Sequence, residues 1–173
     1  MKTLLYAILL LVSGSSFALN HYEKASTKWI KYFNINKYTE VKSKVKLSYY
    51  NEIMIAHIYH YTVNEFFKEY CFGDNGCCSL GKLNINIIPQ RELDNKIYFP
   101  KEGVYSNNRF IVFGRYFRYN NTMYIVSPNY YHGWGKFFAH ELLHYLYDTC
   151  DIYFVNNNDE HIELEEMLKI MKF

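Results

Sequence analysis

His140-Glu141-Leu142-Leu143-His144 sets two imidazoles four residues apart with a carboxylate beside the first. On an α-helix, positions i and i+4 share a face, so both rings reach one divalent cation while Glu141 stands next to a water that the cation holds. A chain of this composition carries such a pentapeptide by chance roughly 2 times in 100, so the surrounding residues decide its weight. Counting about 100° per residue over 134–148 puts His140, Glu141, His144, Asp148, Phe137 and Tyr147 on one side, and Phe138, Ala139, Leu142, Leu143 and Leu146 on the other. The second set is a core face. No Lys or Arg falls between Phe137 and Asp148, which suits a cation site better than an ordinary solvated face.

Two histidines do not complete a catalytic zinc site, which takes three protein ligands and keeps a position for water. The spacing predicts a closing helix over 159–172, in which Leu164, Met167, Leu168, Ile170 and Met171 form an apolar arc. Glu165, Glu166, Lys169 and Lys172 lie outside that arc. Glu163 lies within it and Glu160 near its centre, and an inward carboxylate is costly unless paired or bound to a metal. Because Glu160 opens the helix, where acids serve as caps, Glu163 is the preferred third ligand. Glu160, His161, Asp148 and Asp151 remain alternatives.

The elements that must position these groups follow from periodicity. Ala25, Trp29 and Phe33 suggest a short helix over 20–33. Val41 to Leu47 alternates valines with lysines, a strand whose lysines suit an exposed side or a sheet edge. From Tyr49 to Tyr70 there is no Pro or Gly, and Ile53, Ala56, His60, Val63 and Phe67 recur at helical spacing. Residues 82–88 read as a second strand ending before Pro89, and Phe110–Phe117 with Met123–Val126 as a hairpin around Arg118-Tyr119-Asn120-Asn121. His57 and His60, three apart with no nearby acid, read as packing or surface residues, and His21 as uninvolved.

Met1-Lys2, an apolar run from Leu4 to Val12, and small residues at Ser16 and Ala18 have the form of a secretory signal peptide cleaved after Ala18. Residues 19–173 then form a single domain with no membrane span, secreted or periplasmic. Cys71, Cys77, Cys78 and Cys150 are an even set, expected in an exported chain to make two disulfides. Neighbours bridge with strain, so Cys71 should take one of Cys77 and Cys78, and Cys150 the other. The alternative makes Cys150 a thiolate ligand. A net charge of +2 with dispersed lysines argues against nucleic acid as a partner. Abundant Tyr and Phe read mainly as core.

His140-Glu141-Leu142-Leu143-His144 followed by Glu163 resembles the gluzincin group of zinc metallopeptidases. The order of strand, long helix, further strands ending in a hairpin, His helix and closing helix is similar to the zincin core. The resemblance implies an α+β, zincin-like fold: a small mixed or antiparallel sheet with a backing helix, the HExxH helix and a C-terminal helix. It implies one catalytic Zn²⁺ on His140, His144 and Glu163, and Glu141 as general base. A peptide or protein substrate would lie along Met123–Val126 as edge strand. Tyr153, His161, Tyr131 and His132 are candidates to stabilise the oxyanion. Many gluzincins have an Asp four residues after the Glu ligand; here that residue is Met167, and Asp148 is the candidate for the orienting role. The rival reading is an exported binding protein that keeps a zincin fold without cleaving peptides.

Overall fold

A computed structural model of the protein describes residues 26–71, 78–90, 92–93, 113–129, 133–152 and 157–173. The signal-type segment 1–18, His21, Cys77 and the first part of the expected Phe110–Phe117 strand lie outside them. The described chain runs β1 (Lys31–Asn36), β2 (Thr39–Ser43), α1 (Tyr49–Tyr70), β3 (Leu83–Ile88), β4 (Gly114–Phe117), β5 (Thr122–Val126), α2 (Trp134–Thr149) and α3 (Asn157–Ile170). Its five strands form one mixed sheet in the order β1-β2-β3-β5-β4. The inner strands β2, β3 and β5 are parallel, and β1 and β4 pair antiparallel at the two edges. The class is α+β.

Two expectations change. Residues 31–33 are strand, not helix: Trp29, Phe33 and Ile35 pack against the core while Tyr32 and Asn34 face solvent, a period of two. Asn36 closes this hairpin by accepting the N–H groups of Tyr38 and Thr39 on its side-chain oxygen, at 2.8 and 2.9 Å. The site-side edge strand is β4, not Met123–Val126. β5 is buried at Thr122, Met123, Ile125 and Val126, and takes the inner place between β3 and β4, where a strand flanked on both sides needs apolar residues. Among the described residues β4, with exposed Arg115, is left at the rim. By the same logic β2 is an inner strand, so its Lys42 marks the less covered face and not an edge, and Lys44 and Lys46 of the expected strand lie beyond its end.

The 22-residue α1 starts at Ser48, whose hydroxyl accepts the Asn51 N–H in a capping box. Its buried stripe is Ile55, Ile58, Tyr59, Thr62, Val63 and Phe66. Ile53 is half-exposed, and His57 and His60 face outward. Val41, Val45, Ile85, Ile87, Met123 and Ile125 form the sheet's contribution to a core shared with α1, α2 and α3. None of the described helices is long and apolar enough to cross a membrane.

Cys78 is bridged to Cys150, fixing the end of α2 to the chain that enters β3. Cys150 is therefore not a thiolate ligand. Cys71 is disulfide-bonded as well. The Cys78–Cys150 bridge closes a loop 72 residues long, and in the chain-entropy model it stabilises the fold by about 4 kcal/mol. The double variant Cys78→Ser, Cys150→Ser should lose about that much in guanidinium unfolding without reductant; a loss under about 1 kcal/mol would contradict this role for the bridge.

Candidate metal centre

α2 is held at both ends. At its start the Trp134 indole N–H donates to the Val126 carbonyl at the end of β5, 2.6 Å away. At its finish Cys150 is bridged to Cys78. Between them Phe138, Ala139, Leu142, Leu143 and Leu146 are fully buried, as the helical count requires. Tyr147 departs from that count: it is buried against Phe66 and Tyr70 of α1. With the apolar face seated, His140, Glu141, His144 and Asp148 are left on the partly open side.

The Nε2 atoms of His140 and His144 lie 3.3 Å apart. Tetrahedral zinc with Zn–N bonds of about 2.05 Å separates two ligand nitrogens by about 3.3 Å, so the helix already holds these atoms at the ligand spacing. His161, exposed on the first part of α3, brings a third imidazole, and one nitrogen from each of the three rings falls within 4.8 Å of the others. Burial, with His144 and His161 nearby, pushes His140 down to about 4. Burial also lowers His144, against the opposing pull of Glu160. Neutral imidazoles are the form that binds a metal. The donor set therefore fits a borderline-soft divalent cation such as zinc.

Glu160 is buried and its Oε1 lies 2.7 Å from His144 Nδ1. It thus meets the ring on the nitrogen turned away from His140. Glu163 is not part of the three-histidine cluster. Its Oε1 accepts the Tyr70 hydroxyl at 2.7 Å, and Tyr70 in turn meets the Tyr147 hydroxyl at 2.9 Å. Burial with these partners raises Tyr70 strongly, and burial pushes Tyr147 up to about 12, so both stay neutral. The inward acid of the sequence reading is thus satisfied by a tyrosine from α1.

Glu141 points toward the edge strand. Its Oε2 accepts the Tyr116 backbone N–H at 2.6 Å. Burial pushes its carboxyl up to about 7, with the Tyr116 N–H and the Arg115 charge pulling the other way. Gly114 makes room for it: a Cβ there would stand 2.7 Å from Glu141 Cγ and 3.4 Å from the Tyr124 carbonyl oxygen. Asp148 binds the hairpin, with Oδ2 2.9 Å from the Tyr116 hydroxyl and Oδ1 2.8 Å from Arg118 Nε. Asp151 lies beyond α2 at φ 54°, exposed. Tyr131, His132 and Tyr153 lie outside the described residues.

Compared with protein-family models and with curated proteins, the sequence matches none. The site is therefore read from its own geometry. Sequence reasoning missed Gly114, Tyr116 and Arg118. A lone glycine in a strand marks close approach of a neighbour, and that signal was present at Gly114.

Glu141 gives a pH-dependent signature in chelator-treated protein. Its folded pKa is raised, so its contribution to stability is complete below about 4.5 and is lost as pH rises through about 7. The Tm of Glu141→Gln should therefore gain on that of the unsubstituted protein as pH goes from 5 to 8. A constant difference across that range would show that Glu141 is not desolvated.

Proposed function

We propose that the chain is an exported zinc-dependent hydrolase that cleaves peptide bonds, with His140, His144 and His161 as the metal ligands and Glu141 as general base. The observation that carries the reading is the placement of two neutral imidazole nitrogens 3.3 Å apart, a third ring beside them, and a raised carboxylate on the same helix turned to an edge strand. Zinc bound there supplies a Lewis acid for a carbonyl oxygen and brings the pKa of a water toward neutrality. Three neutral ligands leave the ion its full double charge, where a Glu163 ligand would have cancelled part of it.

Glu141 accepts the proton of the attacking water and returns it to the leaving amine. In the metal-free protein burial raises the proton affinity of its carboxyl, which suits a group that must both take and return a proton. Among the described residues β4 is an edge strand and would offer a substrate strand addition beyond the Tyr116 N–H, which Glu141 already occupies. Export is supported by the signal-type N-terminus together with the disulfides. The HExxH spacing of His140-Glu141-Leu142-Leu143-His144 supports the same reading, whereas the gluzincin resemblance expected Glu163 and not His161 as third ligand.

Purified residues 19–173 should carry about one zinc per chain. Glu141→Ala should abolish cleavage of a peptide library while zinc is retained; retained cleavage overturns the role of Glu141. Zinc without any cleavage by the unsubstituted protein selects the binding-protein alternative, and no zinc at all ends both. His161→Ala should weaken zinc binding far more than Glu163→Ala, and the reverse order restores Glu163 as ligand. Gly114→Ala should cut turnover about 100-fold with zinc content unchanged, because displacing a catalytic group by about 1 Å costs that much. Undiminished turnover would show that Glu141 has room to move.

A further inference from the structure

The buried acid on His144 is itself held. Glu160 Oε1, 2.7 Å from His144 Nδ1, lies 3.8 Å from Arg118 Nη2. Arg118 opens the turn between β4 and β5, and its Nε donates to Asp148, one helical turn beyond His144 on α2. Asp148 also meets the Tyr116 hydroxyl of β4. A continuous path therefore runs from the edge hairpin through Asp148 and Arg118 to Glu160, and from Glu160 to the ring that faces His140.

Each contact has a physical consequence. An imidazole rotates about its Cβ–Cγ bond and exists as two tautomers, so it becomes a defined ligand only when its second nitrogen is engaged. With Glu160 accepting, the proton sits on Nδ1 and the lone pair of Nε2 is directed at His140. Glu160, with a side chain only 12% exposed, would pay a desolvation cost without this partner and Arg118. Arg118 is 62% exposed, so its own ion pairs are screened and individually weak; its value lies in joining two acids on different helices.

We propose that Glu160 is the positioning residue for His144, and that Arg118 and Asp148 extend its hold to the β4–β5 hairpin, so that metal binding and ordering of the edge strand reinforce one another. This rests on the metal site proposed above. Energetic coupling between two sites is reciprocal: if the hairpin steadies the ligand ring, a bound metal steadies the hairpin by the same amount.

Zinc affinity measured by chelator competition, the visible spectrum of the Co²⁺ form, and hydrogen exchange of the Gly114–Phe117 amides test this together. Glu160→Ala should lower zinc affinity 10- to 100-fold while the Co²⁺ bands keep their positions, because the ligand set is intact. Glu160→Gln, which keeps the shape of the side chain, should fall between, and it carries the test if the alanine variant does not fold. Arg118→Ala should cost about two- to fivefold, and nothing further when added to Glu160→Ala. Zinc should slow exchange across Gly114–Phe117, less so in Arg118→Ala. Wild-type protein that binds no zinc overturns the metal reading and this one with it. Wild-type protein that binds zinc while both Glu160 variants bind equally well overturns the positioning role alone. So do Co²⁺ bands that shift in Glu160→Ala, since Glu160 would then be a ligand, and hairpin exchange unchanged by zinc.

Discussion

Everything at the centre depends on α2 lying flat on the core along one face. Two imidazoles four residues apart meet one cation only if the helix between them keeps its pitch and its rotation about its own axis, and a slip of one residue turns the rings by about 100°. The buried residues Phe138, Ala139, Leu142, Leu143 and Leu146 set that rotation. Removing one of the large side chains there costs about 2–5 kcal/mol, more than any single polar contact around the histidines contributes. The apolar face thus fixes the geometry of the polar one.

Around that helix, burial and charge are balanced in opposite ways. Burial disfavours the charged forms of His140 and His144, which leaves their lone pairs available. The carboxylates sort by partner. Glu160 is given a ring nitrogen, Glu163 a phenol, Asp148 an arginine with a phenol, and Glu141 only a backbone N–H. Desolvation raises the proton affinity of Glu141, against the opposing pull of the Tyr116 N–H and the Arg115 charge. Four carboxylates within one region can therefore play different parts without any difference in intrinsic chemistry.

Much of this was legible in the sequence, for reasons that differ by element. The helix of the two histidines, the span of α1 and the β4–β5 hairpin lie where expected, but α1 buries Ile55, Ile58, Tyr59, Thr62, Val63 and Phe66, sharing only Val63 with the expected stripe of Ile53, Ala56, His60, Val63 and Phe67. β1 was hidden because Ala25, Trp29 and Phe33 also fit a helical spacing, and only the sheet reveals the alternation that places Phe33 and Ile35 inward. The inner and outer strands of the hairpin exchanged places because pairing with β3 is a tertiary choice. The helical count identified Glu163 as an acid needing a partner, which it is. The partner, Tyr70, comes from 93 residues earlier in the chain, a distance over which one sequence carries no signal. His161, one of the alternative ligands in the sequence, faces outward on α3, and only the fold sets it beside α2.

Gly114 has a consequence for how such a site is recognised in other chains. The HExxH pentapeptide is short enough to recur by accident, and its third ligand can change type and position. A residue without a side chain at the strand position facing the glutamate is a steric requirement, because any Cβ there meets Glu141 Cγ at 2.7 Å. A strand glycine upstream of the motif, on the edge beside it, is therefore a feature to look for in chains where this carboxylate lies against the sheet.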